Sequence, residues 1–95
     1  DLTIDTRTRD VSRSGRSIQL SVKEYDLLNF LMRGVGRVLE RQDIMRGVWG
    51  ENFFGDDNLL DVYIRYLRQK IEHQDRPTLI HTVRGVGFIL RQTTD

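Results

Sequence analysis

The sequence predicts an α+β fold in which short strands come first, three helices form the core, and a β-hairpin follows. Apolar and polar residues alternate along short segments within residues 2–20, as expected of half-buried strands. Apolar residues then recur at helical spacing between residues 22 and 73, and two β-branched runs flank a Gly-x-Gly turn after them. The 95 residues are expected to form one domain with a modest core.

The first segments predict a small antiparallel sheet of three or four strands with a supporting role. Residues 2–5, 11–13 and 17–20 alternate between apolar and polar side chains, and Ser14 with Gly15 suits a tight turn between the last two segments.

Two helices follow this sheet. Ser21 and Glu24 form a capping box, so the first helix is expected to begin at Val22, and its wide apolar face is typical of a core helix. The second helix is predicted over residues 41–49, with Gly50 as its C-terminal glycine.

The third helix is predicted over residues 59–73, with Asn58 as its N-cap. One face holds the core positions Leu60, Ile64, Leu67 and Ile71, with Tyr63 at the edge. The opposite face lacks carboxylates and consists of Val62, Arg65, Tyr66, Gln69, Lys70 and His73. Such side chains suit base edges, phosphates and thymine methyl groups. On this helix alone, an ordinary amphipathic helix with a basic outer face is an equally good interpretation.

Positive charge is concentrated in the second half of the chain. The whole chain carries a net charge of +1, but residues 62–91 hold six basic and two acidic side chains. Thirteen of the fifteen cations are arginines, which favour forked contacts with phosphate and guanine. This distribution predicts a polyanionic partner.

Several classes of protein are excluded or disfavoured by the composition. Without cysteine there is no disulfide, thiol nucleophile or Cys-ligated zinc site. His73 and His81 belong to no catalytic or metal-binding motif, so we expect neither an enzyme nor a metal or other cofactor. No segment has the length of a membrane span or the pattern of a signal peptide, so a cytoplasmic protein is expected.

A hairpin is predicted after the third helix, with residues 78–83 and 88–91 as strands and Arg84 in the turn. Together with the second and third helices, this hairpin predicts a winged helix-turn-helix. The loop of residues 50–58 is acidic and contains two adjacent phenylalanines. It is either a protein-binding surface or a connection in which a Phe fills the core. A winged-helix protein-interaction module centred on this loop is therefore the alternative function.

Two motifs carry a resemblance to a known family. Residues 61–72 (DVYIRYLRQKIE) and 80–88 (IHTVRGVGF), supported by residues 20–28 and 48–50, resemble the effector domain of OmpR/PhoB-type response regulators. The resemblance covers essentially the whole chain. It implies a four-stranded N-terminal sheet, a three-helix core, a C-terminal wing, and an upstream receiver domain that this chain does not contain.

The resemblance also implies roles for individual residues. The helix of residues 59–73 would enter the major groove, and the wing of residues 79–91 would meet the minor groove. Base contacts would come from Val62, Tyr66, Thr82 and Arg84. Phosphate contacts would come from Arg41, Trp49, Tyr63, Arg65, Arg68 and Lys70. A contact with RNA polymerase would come from Glu51, Phe53, Phe54, Asp56 and Asp57.

The implied partners follow from the same family. They are double-stranded promoter DNA with direct-repeat half-sites, RNA polymerase, and a receiver domain and sensor kinase acting on the full-length protein in the bacterial cytoplasm. The isolated domain is expected to be a monomer that pairs head-to-tail on DNA.

Four positions call for separate interpretation. Tyr66 stands where some relatives carry a base-reading Arg, Asn58 replaces a basic residue of some relatives, and Phe88 replaces a common wing tyrosine. Arg68 lies on the helical wheel beside Asp61 and Glu72, which predicts a surface ion pair, whereas the family position predicts a phosphate contact.

Overall fold

The computed structural model describes residues 1–51, 58–72 and 77–91. Its elements confirm the predicted α+β class and the three helices. The strands are β1 (Leu2–Asp5), β2 (Asp10–Arg13), β3 (Arg16–Ile18), β4 (Val38–Glu40), β5 (Ile80–Val83) and β6 (Gly87–Leu90). The helices are α1 (Val22–Arg33), α2 (Arg41–Trp49) and α3 (Asn58–Ile71).

The N-terminal sheet is antiparallel with the strand order β1-β2-β3. Its register places Val11 opposite both Ile4 and Ile18, so these apolar side chains lie on one face of the sheet. The predicted turn at Ser14 and Gly15 is confirmed, and both residues have positive φ angles. Among the described residues this sheet has three strands, the lower of the two numbers predicted, and lacks the fourth strand implied by the resemblance.

A second sheet with the order β4-β6-β5 was only half predicted. The β5–β6 hairpin was expected, whereas β4 was missed because its three residues show no strand signal without their partner. The close approach of β6 to β4 depends on Gly87, since a Cβ atom there would lie 1.9 Å from the Leu39 carbonyl oxygen. The hairpin is therefore anchored on a strand that leads directly into α2.

The core lies where the three helices meet both sheets. The predicted capping box at the start of α1 is confirmed by two hydrogen bonds between Ser21 and Glu24. Helices α1 and α2 pack closely at Gly47, where a Cβ atom would overlap the Phe30 ring. The predicted core stripe of α3 is confirmed, because its four apolar residues are at most 1% exposed. These residues are Leu60, Ile64, Leu67 and Ile71.

Candidate nucleic-acid interface

The outer face of α3 is free of carboxylates, as predicted. Arg65, Tyr66 and Gln69 are exposed, and Val62 is half-buried beside them. The helix ends at Ile71, two residues before the predicted end, and His73 lies outside the described residues. A helix with this face offers cations, a ring and an aliphatic group to a partner.

A chain of three aromatic rings runs from the end of α2 to this face. The rings of Trp49 and Tyr63 meet edge to face with centroids 5.5 Å apart. Tyr63 meets Tyr66 in the same way at 5.6 Å. Tyr66 keeps 39% of its surface exposed, so its ring is supported from one side and open on the other. Edge-to-face packing of this kind favours one orientation of the ring.

We use the term wing for β5, β6 and the intervening turn of residues 84–86. Arg84 is exposed in this turn, and Gly85 has a φ of +75°, which favours glycine. The Val86 carbonyl accepts a hydrogen bond of 3.2 Å from the Arg41 backbone N–H. The start of α2 therefore holds the tip that presents Arg84.

A cleft of about 200 Å³ separates α3 from the wing. Three arginines line it, from α2 and α3, together with backbone and apolar groups of the wing. The lining residues are Arg41, Asp61, Ile64, Arg65, Arg68, Thr82, Val83, Gly85, Val86, Gly87 and Phe88. The cleft brings three predicted phosphate ligands, Arg41, Arg65 and Arg68, next to Thr82, one of the two predicted wing contacts, whereas Arg84 does not line it.

Arg68 joins α3 to the wing across this cleft. Its guanidinium donates hydrogen bonds to the Thr82 hydroxyl at 2.8 Å and the Ile80 carbonyl at 3.1 Å. It also lies 5.8 Å from the centroid of the Phe88 ring. The predicted ion pair of Arg68 with Asp61 or Glu72 is wrong, because both carboxylates bind other arginines. A helical wheel shows only neighbours on the same helix, whereas the wing supplies closer partners.

Arg41 forms a bidentate salt bridge with Asp61 on α3. Two guanidinium nitrogens lie 2.8 and 2.9 Å from the two carboxylate oxygens. The hydrogen bonds from Arg41 lower the pKa of Asp61 below its ordinary value, against a smaller opposing effect of burial. The predicted phosphate ligand Arg41 therefore already has an anionic partner.

Lys70 lies on the opposite flank of α3, toward α1. Its ammonium is 2.6 Å from a carboxylate oxygen of Glu24, the residue of the α1 capping box. Burial raises the pKa of Glu24, but hydrogen bonds from Lys70 and Ser21 outweigh it, and the pKa lies below its ordinary value. Lys70 thus stabilises the packing of α3 on α1, a role that the sequence pattern did not reveal.

Of the five residues predicted to contact RNA polymerase, the structure describes only Glu51, which is exposed. Phe53, Phe54, Asp56 and Asp57 lie outside the described residues.

Comparison with known proteins identifies the family. Residues 15–90 match the family model described as "Transcriptional regulatory protein, C terminal". The chain belongs to this family. The match covers both helices of the helix-turn-helix and the wing, and it confirms the resemblance to OmpR/PhoB-type effector domains. The family is a class of transcriptional regulators and not of enzymes.

Curated relatives from mycobacteria match nearly the whole chain. It is 50% identical over 91 residues to the transcriptional regulatory protein TrcR of Mycobacterium tuberculosis, covering 96% of this chain and 35% of TrcR. It is 50% identical over 93 residues to the response regulator MprA of Mycobacterium avium, covering 98% and 41%. The chain therefore spans less than half the length of these relatives.

Solved structures of effector domains share the fold. The DNA-binding domain of Klebsiella pneumoniae RstA, solved in complex with the RstA box, superposes with a TM-score of 0.83 at 32% identity. The match covers 95% of this chain and 90% of that domain. DrrB of Thermotoga maritima, an OmpR/PhoB homologue, has a TM-score of 0.85 at 32% identity, covering 96% and 42%. The winged helix-turn-helix architecture of this chain is thus established.

In the described parts of this effector domain, no helix has the length and hydrophobicity needed to cross a membrane. Within the same residues, no three His, Cys, Asp or Glu side chains are grouped so that they could hold a metal ion.

Proposed function

We propose that this chain binds double-stranded DNA in a sequence-specific manner as the effector domain of a two-component response regulator. The observation that carries the proposal is the cleft between α3 and the wing, which Arg41, Arg65 and Arg68 line together with residues of the wing. An α-helix fits the major groove of B-DNA, and arginine suits the narrower minor groove. We therefore place α3 in the major groove and the wing at the minor groove.

Base readout is assigned to the side chains that project from these two elements. Val62 and Tyr66 on α3 offer apolar and aromatic contacts in the major groove. Arg84 on the wing offers a guanidinium to the minor groove, and Thr82 lies at the edge of the cleft. RstA, whose DNA-binding domain was solved with its box, supports this placement by its similar fold.

Phosphate binding is assigned to residues that flank these readers. Arg65 is exposed and lines the cleft, so it can reach a phosphate directly. Arg41, Arg68 and Lys70 have intramolecular partners and would have to share or exchange them on binding. Trp49 and Tyr63 complete the assigned set. Such contacts position the duplex and make binding salt-dependent without specifying its sequence.

The wider setting follows from the family. The mycobacterial relatives extend well beyond the matched region, so we propose an upstream receiver domain phosphorylated by a sensor kinase in the bacterial cytoplasm. RNA polymerase is the proposed partner of residues 50–58. The isolated domain is proposed to be a monomer that binds direct-repeat half-sites head-to-tail.

The test begins by selecting duplexes for the wild-type domain from a random DNA pool. Affinity for the selected duplex is then measured for Arg65→Ala and Arg84→Ala. Arg84→Ala should weaken binding to the selected duplex by about 1–3 kcal/mol, because a base contact is lost. Arg65→Ala removes a phosphate contact, so it should weaken binding to all sequences alike and reduce the salt slope by about one.

Arg7→Ala is the matched control, because Arg7 lies in the turn between β1 and β2 with its side chain 90% exposed. It should bind as the wild type does. If neither Arg65→Ala nor Arg84→Ala changes binding, the proposed interface is wrong.

A further inference from the structure

Arg13 is a buried cation in β2, the central strand of the N-terminal sheet. Its side chain is 0% exposed. It shares the inward side of the strand with Val11, where the sequence pattern predicts apolar residues. A buried guanidinium is tolerated only when its donors are satisfied. The partners of Arg13 therefore indicate why an arginine is placed there.

One partner is the Asp1 carboxylate, 3.3 Å from Nε of the guanidinium. The other three partners lie at the two described ends of the connection between α3 and β5. The guanidinium donates to the Ile71 carbonyl at 2.6 Å and to the Pro77 carbonyl at 2.5 Å. Ile71 is the last residue of α3, whose final carbonyls have no partner within the helix. One rigid, planar group thus joins the end of the helix to the segment that enters the wing.

Glu72 extends this linkage into β5. Its carboxylate lies 3.2 Å from a guanidinium nitrogen of Arg13. It also accepts hydrogen bonds from the backbone N–H groups of Leu79 at 3.1 Å and Ile80 at 3.3 Å. Ile80 begins β5, and Arg84 follows about 13 Å further along an extended chain.

We propose that Arg13 and Glu72 are positioning residues for DNA recognition, which fix the direction of the wing relative to α3. The inference rests on the proposed function. Arg13 cannot touch DNA, because no part of its side chain reaches the surface. Any effect of Arg13 on recognition must therefore pass through the geometry of the two elements that it joins.

The first test replaces Arg13 by lysine, which keeps the charge but cannot reach Ile71, Glu72 and Pro77 together. Circular dichroism establishes that the variant is folded at the assay temperature. Binding to the selected duplex should then fall about tenfold, while binding to a duplex of random sequence falls less than about threefold. Arg16→Lys is the matched control, since Arg16 lies opposite Arg13 on β3 and is exposed. It should leave both affinities unchanged.

The second test measures coupling to the wing tip. In the wild type, Arg84→Ala should weaken binding to the selected duplex by about tenfold or more. In the Arg13→Lys background, Arg84→Ala should lower the affinity for the selected duplex by less than about threefold, because the wing is already misdirected. Glu72→Gln should show the same loss of coupling. It carries the test if Arg13→Lys does not fold, since the glutamine carbonyl can still accept from the Leu79 N–H, whereas the neutral amide no longer forms the ion pair with Arg13.

Two outcomes overturn the inference. In one, the folded variants bind the selected duplex as the wild type does. In the other, they lose affinity for both duplexes equally while Arg84→Ala keeps its full effect. Either result would limit Arg13 and Glu72 to stabilising the fold. If the wild-type domain itself binds no duplex, the proposed function fails instead, and the two failures are distinct.

Discussion

The Asp61 carboxylate forms a bidentate salt bridge with the Arg41 guanidinium, with nitrogen–oxygen distances of 2.8 and 2.9 Å. The pair lies in the cleft between α3 and the wing, where DNA phosphates are proposed to bind. A carboxylate there neutralises Arg41 in the free domain and repels an approaching phosphate. Asp61 should therefore weaken non-specific binding.

Asp61→Asn tests this effect. The variant should bind random-sequence DNA more tightly, and the slope of log affinity against log salt should steepen by about 0.9, one further phosphate contact. Its stability should change by less than about 1 kcal/mol, because the pair is partly exposed. An unchanged slope with weaker binding to every sequence would show instead that Asp61 orients Arg41 for its contact.

Tyr66 should read one base position through its ring. Tyr66→Ala should weaken binding to the selected duplex by about 1–3 kcal/mol and relax the base preference at one position of the duplex. Tyr66→Phe keeps the packing against Tyr63 and isolates the hydroxyl. Repeating the selection with each variant gives the readout. An unaltered selected sequence for Tyr66→Ala would remove Tyr66 from the base contacts.

Gly87 should be required for the fold of the wing. Gly87→Ala would place a Cβ atom 1.9 Å from the Leu39 carbonyl oxygen, so β4 and β6 must separate. We expect a loss of about 3 kcal/mol in the free energy of unfolding, measured by urea denaturation. Gly34→Ala is the control, since it meets only the end of the flexible Leu39 side chain and should cost about 1 kcal/mol or less. Equal losses would contradict the proposed role of the close β4–β6 contact.

The Glu24–Lys70 pair should make stability depend on acid pH. The pKa of Glu24 is lower in the folded chain than its ordinary value of 4.5, so the folded state favours the charged carboxylate. Its contribution is present above that value and is lost as pH falls through the lower folded pKa. Thermal denaturation of the wild type should therefore shift to lower temperature below about pH 4.5.

Glu24→Gln is the matched variant, because glutamine keeps the capping-box geometry without the titrating proton. Its midpoint should fall less steeply over the same pH range. Parallel pH profiles for the two proteins would show that the pair contributes nothing to acid sensitivity.

Local patterns in the sequence predicted much of this fold. Helical periodicity identified the buried face of α3, and the Ser21–Glu24 spacing identified the start of α1. The short strand β4 was not predicted, because it is defined by pairing with β6, which lies about fifty residues later in the chain.

At the proposed DNA interface, too, contacts between elements far apart in the sequence were not predicted. Family position predicted Arg41, Arg68 and Lys70 as phosphate ligands. Their intramolecular partners, Asp61, Thr82 and Glu24, come from other elements of the fold. No sequence spacing reports such long-range partners. An arginine at an inward strand position, as at Arg13, was an available signal of a buried polar linkage.

Helix α3 and the wing together are proposed to form the DNA-binding surface. Titrating the isotope-labelled domain with its selected duplex, and following backbone amide signals, tests this placement most directly. We predict the largest shifts at Val62, Arg65 and Tyr66 on α3 and at Arg84 on the wing, with little change along β1 to β3. If the amide signals of α3 and the wing do not change, and those of residues 50–58 do, the result would contradict this placement and favour the protein-interaction alternative.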